Sequence, residues 1–110
     1  MVPSARIEGN TVFITVDGDV DARNSPELRE TLIDLIRREK PKKLILNLGN
    51  VRYMDSSAIA VLVESLKILR GSGGSMILTN LQPRVKGLLE IARLQSIFAI
   101  AASEAEALSL

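Results

Sequence analysis

The sequence predicts an α/β domain in which an N-terminal β-hairpin leads into a mixed, mostly parallel sheet with about four helices. Three observations carry that expectation. Residues 11–17, TVFITVD, are rich in β-branched residues and follow Gly9-Asn10, a pair suited to a two-residue turn. Leu44 to Leu48 is a near-continuous apolar run without alternation, the pattern of a strand covered on both faces. Apolar residues elsewhere return at helical spacing, so that strands and helices alternate along the chain.

The elements follow in order. Ala5 to Glu8 forms the outgoing arm of the hairpin, and the return arm places Val12, Ile14 and Val16 on one face. An acidic loop, Asp17-Gly18-Asp19-Val20-Asp21, comes next. Ser25 reads as the N-cap of the first helix, with Pro26 at a position that tolerates proline and Glu27 and Glu30 near the positive end. Leu28, Leu32, Leu35 and Ile36 supply its buried stripe, and Pro41 stops it. After the central strand, a helix from about Ser57 to Arg70 closes on Gly71-Ser72-Gly73-Gly74. Ser75 to Thr79 is a further strand. Pro83 starts a third helix with Val85, Leu88, Leu89 and Ala92 facing inward, and Ile97 to Ile100 is a short last strand. Ser103-Glu104-Ala105-Glu106 opens a final helix as a capping box.

Composition bounds the chemistry. One hundred and ten residues suit one domain, 1–110, and 46% hydrophobic with 25% charged residues is a globular balance. Cysteine and histidine are both absent, which removes disulfides, thiolate nucleophiles, Cys/His zinc sites and imidazole-based triads. A formal charge of +1 with interspersed signs gives no basic stripe for nucleic acid, and one Tyr, two Phe and no Trp make no base-stacking platform. No apolar run is long enough to span a bilayer, and the first residues carry no signal-peptide pattern. The expectation is a cytoplasmic monomer that binds or is acted upon, without membrane, cofactor or metal.

The chemistry-bearing stretch is Asp55-Ser56-Ser57, where a strand delivers two hydroxyls to the mouth of a helix. Helix capping is one reading of all three residues. A single cap oxygen suffices, however, and no Glu or Gln stands three residues after any of them to complete a box. On that helix Ile59, Leu62, Val63, Leu66 and Leu69 form the core stripe. Val61 and Ile68 fall on the opposite side, in line with Ser57, and suggest an outward docking face. Asp17, Asp19 and Asp21 have the odd spacing of a calcium loop, but Ala22 stands where its turn glycine belongs and Leu28 where its bidentate Glu belongs. Asp19 and Asp21 should instead order the loop and lie near Asp55, since both loops join a strand's exit to a helix.

The run LNLGNVRYMDSSAIAVL resembles the signature of bacterial anti-sigma factor antagonists of the STAS domain family. Gly18-Asp19-Val20-Asp21 is similar to that family's Gly-x-x-Asp loop, and Leu81-Gln82-Pro83-Arg84-Val85 to its later Pro-x-Val segment. Element order and length match over essentially the whole chain. The resemblance implies a STAS-like single domain and a phosphorylation switch on Ser56, with Ser57 as second choice. It further implies two partners: an anti-sigma factor with serine kinase activity, bound through a patch of Asp21, Asp55, Ser56, Ser57, Val61 and Ile68, and a phosphoserine phosphatase. Ala58 and Ala60 replace the family's usual glycines. Two rivals stand beside this reading. One is a standalone STAS accessory subunit in a transport or lipid-trafficking complex. The other is a small enzyme or receiver-like aspartate phosphoacceptor, for which no lysine can be placed at a strand end.

Overall fold

The computed structural model describes residues 1–110 as one five-stranded sheet with four helices. Strands β1 (Val2–Glu8) and β2 (Thr11–Asp17) pair antiparallel around Gly9-Asn10, and Gly9 takes the positive φ that the first central residue of a type II′ turn requires. Strands β3 (Lys43–Asn50), β4 (Ser75–Thr79) and β5 (Ala99–Ala101) then add in sequence order, each parallel to its neighbour. Helices α1 (Ser25–Glu39), α2 (Ser56–Gly71) and α3 (Pro83–Ile91) make the crossovers. Because the strands run in sequence order and such crossovers share one hand, these three helices fall on one face of the sheet. The five-residue helix α4 (Glu104–Leu108) lies on the other.

That arrangement explains the missing alternation in β3. Leu44, Leu46 and Leu48 join residues of α1, α2 and α3 in the main core. Ile45, on the reverse side, packs with Phe13, Ile77, Ala101 and Ala107 in a small second cluster under α4. Lys43 secures this thin cover: its Nζ donates to the backbone oxygens of Ala107 at 3.3 Å, Leu108 at 3.1 Å and Leu110 at 2.7 Å. The ammonium thus gathers backbone oxygens at and just beyond the C-terminal end of α4, where a cation is favoured. On the same face the Arg6 guanidinium lies over the Phe13 ring, 4.1 Å from its centroid.

Several boundaries differ from the sequence expectation. Ser25 does not cap α1. Its N–H donates to Asp21 O at 2.8 Å, so helical bonding begins before it, and Asn24 takes the cap position while its side chain turns back to the acidic loop. At the other end, Lys40 adopts the left-handed conformation ahead of Pro41 and its N–H reaches Ile36 O. Strand β5 starts at Ala99, because Ile97 and Phe98 still belong to the preceding turn, where Phe98 is buried in the main core. Ala92, expected to face inward, is exposed at the C-cap of α3.

Gly74 is fixed by space rather than by φ. A Cβ there would collide with the Pro41 carbonyl oxygen and come within 2.6 Å of Leu69 Cδ1. The backbone oxygen cannot swing aside, so Gly74→Ala should cost about 1–3 kcal/mol. Urea titration would show this as a lower midpoint with an unchanged slope.

Candidate functional site

Strands β2 and β3 are parallel, so the loops that leave them toward α1 and α2 emerge at the same end of the sheet. They are stitched together by backbone. Gly18 N–H donates to Asn50 O at 3.1 Å, Val20 N–H to Tyr53 O at 3.1 Å, and Asp55 N–H to Val20 O at 3.2 Å. Asp19 Oδ1 adds acceptance from the N–H groups of Arg52 and Tyr53, both at 3.2 Å. The expected meeting of the acidic loop with Asp55 therefore occurs, by a short parallel bridge between Val20 and Met54.

Asp55 is the cap of α2. Its Oδ1 accepts from Ser57 N–H at 2.9 Å and Ala58 N–H at 3.4 Å, and also from the Ser57 hydroxyl. Its Oδ2 reaches across to Ala22 N–H at 3.1 Å in the other loop. These bonds, the Ser57 hydroxyl first, hold the Asp55 carboxyl below its ordinary range against a smaller opposing effect of burial. The unfolded chain, lacking these donors, takes up the proton at a higher pH than the folded one. Asp55 thus adds stability that is complete above about pH 4–5 and is lost as pH falls through the folded value. Asp55→Asn should melt several degrees lower at pH 7. The gap should narrow as the pH of the melts is lowered through the acid range.

The two serines are placed differently. Ser56 is exposed, whereas Ser57 is partly buried and its hydroxyl is tied to Asp55. Asp21 accepts from the backbone N–H and the guanidinium of Arg23, both at 2.9 Å, and is held below the usual carboxylate range chiefly by that side chain. The three loop acids serve separate partners, since Asp17 accepts from the Asn50 amide, Asp19 from the Arg52 and Tyr53 N–H groups and Asp21 from Arg23.

Val61 and Ile68 do not form an outward face. Val61 is only 6% exposed and belongs to the main core, and Ile68 is partly buried against it. The cause is α1. Glu64 lies on the same helical stripe as Val61 and Ile68, and it makes a double hydrogen bond at 2.7 Å with Arg29 of α1. The neighbouring helix therefore covers the side that spacing alone left open.

What spacing missed lies on the other flank. Tyr53, Met54, Arg84, Gly87, Leu88 and Ile91 line a largely apolar cleft of about 270 Å³ between the β3–α2 loop and α3. Tyr53 is 41% and Ile91 84% exposed, and Arg84 lies 5.6 Å from the Tyr53 ring centroid. Arg84, Gly87, Leu88 and Ile91 recur at i, i+3, i+4 and i+7, which was the available sequence signal for a second face on α3.

Comparison with known proteins agrees with this architecture. The STAS domain family model matches residues 2–107. The anti-sigma-B factor antagonist of Bacillus subtilis (strain 168) is 36% identical over 93 residues, 84% of either chain. A crystal structure of a Thermotoga maritima protein superposes with a TM-score of 0.89 at 23% identity, covering 97% of this chain and 92% of that one. The Bacillus cell fate determinant SpoIIAA in its phosphorylated form does so with a TM-score of 0.75 at 22% identity, covering 98% and 97%. No helix here is long and apolar enough to cross a membrane.

Proposed function

The chain belongs to the STAS domain family, and from that premise we propose that it is an anti-sigma factor antagonist switched off by phosphorylation of Ser56. The observation that carries this reading is the exposed Ser56 at the start of α2, beside a neighbour whose hydroxyl is already engaged. A curated relative bearing the antagonist name is similar along most of both chains, and a protein of the same fold is described in phosphorylated form. Both support the reading.

The partner is an anti-sigma factor that is also a serine kinase, and a phosphoserine phosphatase resets the switch. The unphosphorylated chain binds the anti-sigma factor and frees the sigma factor. Phosphorylation adds about 1.5 to 2 negative charges and three acceptor oxygens. The dipole at the start of α2 tolerates that anion although Asp55 already accepts from the Ser57 and Ala58 N–H groups, so the fold persists. The docking surface becomes strongly acidic, because the phosphate adds to the charges of Asp19, Asp21 and Asp55. A partner fitted to a small neutral hydroxyl then meets bulk and charge that it cannot pair. With Val61 buried and Ile68 partly buried, docking runs from Ser56 over exposed Ala60 to the cleft of Tyr53 and Ile91.

Incubation with ATP and the anti-sigma kinase of the same cell tests this. One phosphate should appear on Ser56 by mass spectrometry and be missing from Ser56→Ala. A chain that binds no anti-sigma factor and accepts no phosphate would rule the reading out.

A further inference from the structure

Two serines stand side by side at the start of α2, and a kinase must act on one of them. We propose that Asp55 is the positioning residue that directs phosphorylation to Ser56, by holding the Ser57 hydroxyl inside the helix cap. The inference rests on the reading of Ser56 as phosphoacceptor and concerns how that residue is selected.

The geometry is specific. Asp55 carries no proton at neutral pH, so the Ser57 hydroxyl is the donor in its bond to Oδ1. The same oxygen accepts from the backbone N–H of Ser57, which leaves the Ser57 side chain folded back against its own main chain. Asp55 is itself fixed from the far side by Ala22 N–H at 3.1 Å. Ser57 is also partly buried, on the stripe of α2 that Glu64 and Arg29 close off. Ser56 is exposed, with its side chain outside the cap.

Phosphoryl transfer requires a hydroxyl oxygen to attack the γ-phosphorus of ATP in line. The new Oγ–P bond forms as the P–O bond to ADP breaks, and the hydroxyl proton passes to a base of the kinase. Ser56 can approach as it stands. Ser57 must first rotate out, giving up a charge-assisted hydrogen bond and uncapping the helix. A hydrogen bond of that class corresponds to roughly tenfold or more in the ratio of the two products. Adjacent serines alone would give a mixture; the cap turns them into one acceptor and one spacer.

The test is to express the chain in its native host as wild type, Asp55→Ala, Asp55→Asn and Ser57→Ala, and to quantify the two phosphopeptides by fragmentation mass spectrometry. Wild type and Ser57→Ala should carry phosphate on Ser56. In Asp55→Ala the Ser57 share should rise about tenfold or more. Asp55→Asn keeps an acceptor oxygen without the charge and should lie between them. A merely structural role for Asp55 would lower melting temperature and total phosphate together and leave the Ser56-to-Ser57 ratio unchanged. If Asp55→Ala fails to fold by circular dichroism, the Asp55→Asn ratio decides. An unchanged ratio in the folded variants, with Ser56 phosphorylated in wild type, overturns the inference and leaves the switch standing. Wild type without phosphate on either serine overturns both.

Discussion

Ser56→Glu should weaken association with the anti-sigma factor by at least about a hundredfold, while Ser56→Ala should bind as wild type does. A charge placed against a surface that offers it no partner, or one of like sign, costs several kcal/mol, and each 1.4 kcal/mol is a factor of ten. The side chain starts from an exposed position, so the alanine variant removes little that the folded chain itself uses. The glutamate sits at the start of α2, where a negative charge is tolerated or mildly favourable. Thermal melts of the three proteins should therefore nearly coincide while calorimetric titration separates them. That pattern distinguishes a local veto from unfolding. Equal affinities for Ser56→Glu and wild type would end the argument for a charge-based switch.

The second large effect concerns stability. Val61→Asp should destabilise the fold by about 3–5 kcal/mol, since it leaves a carboxylate buried without a partner. That is a substantial part of the 5–15 kcal/mol typical of a domain. The carboxylate would lie one turn from Glu64, which already occupies the Arg29 guanidinium. By contrast, Ile91→Asp alters a side chain 84% exposed and should change stability by less than about 0.5 kcal/mol. Urea denaturation separates the two variants. A Val61→Asp protein with wild-type stability would mean that α1 does not cover this side of α2.

The same pair of positions shows what the sequence could and could not reveal. The Gly9-Asn10 turn, the proline-opened helices and the unalternating β3 are local signals, and each produced its element. The α2 helix is apolar on more than one side, and its pattern alone does not say which neighbour covers which stripe. Glu64, standing among Val61, Ser65 and Ile68, was the overlooked clue: its partner Arg29 lies 35 residues earlier on another helix. Asp55 was legible as one of three possible caps. Its second oxygen reaching Ala22 N–H was not, because a carboxylate-to-backbone contact between loops leaves no periodic trace. Ser25 misled for a related reason. A good cap residue next to proline carries the same spelling whether helical bonding starts at it or one turn before it.

A sheet dressed by three long helices on one side and five residues on the other is lopsided, and it should come apart lopsidedly. Helix α4, held by the Lys43 ammonium, by the Asn47 amide and Arg6 guanidinium on Glu104, and by a patch of five buried side chains, should open before the three-helix side does. Ser56 and the loops that frame it stand at the strand ends and are anchored through α1 and α2. Loosening on the thin side can proceed some distance before the Ser56 end is disturbed.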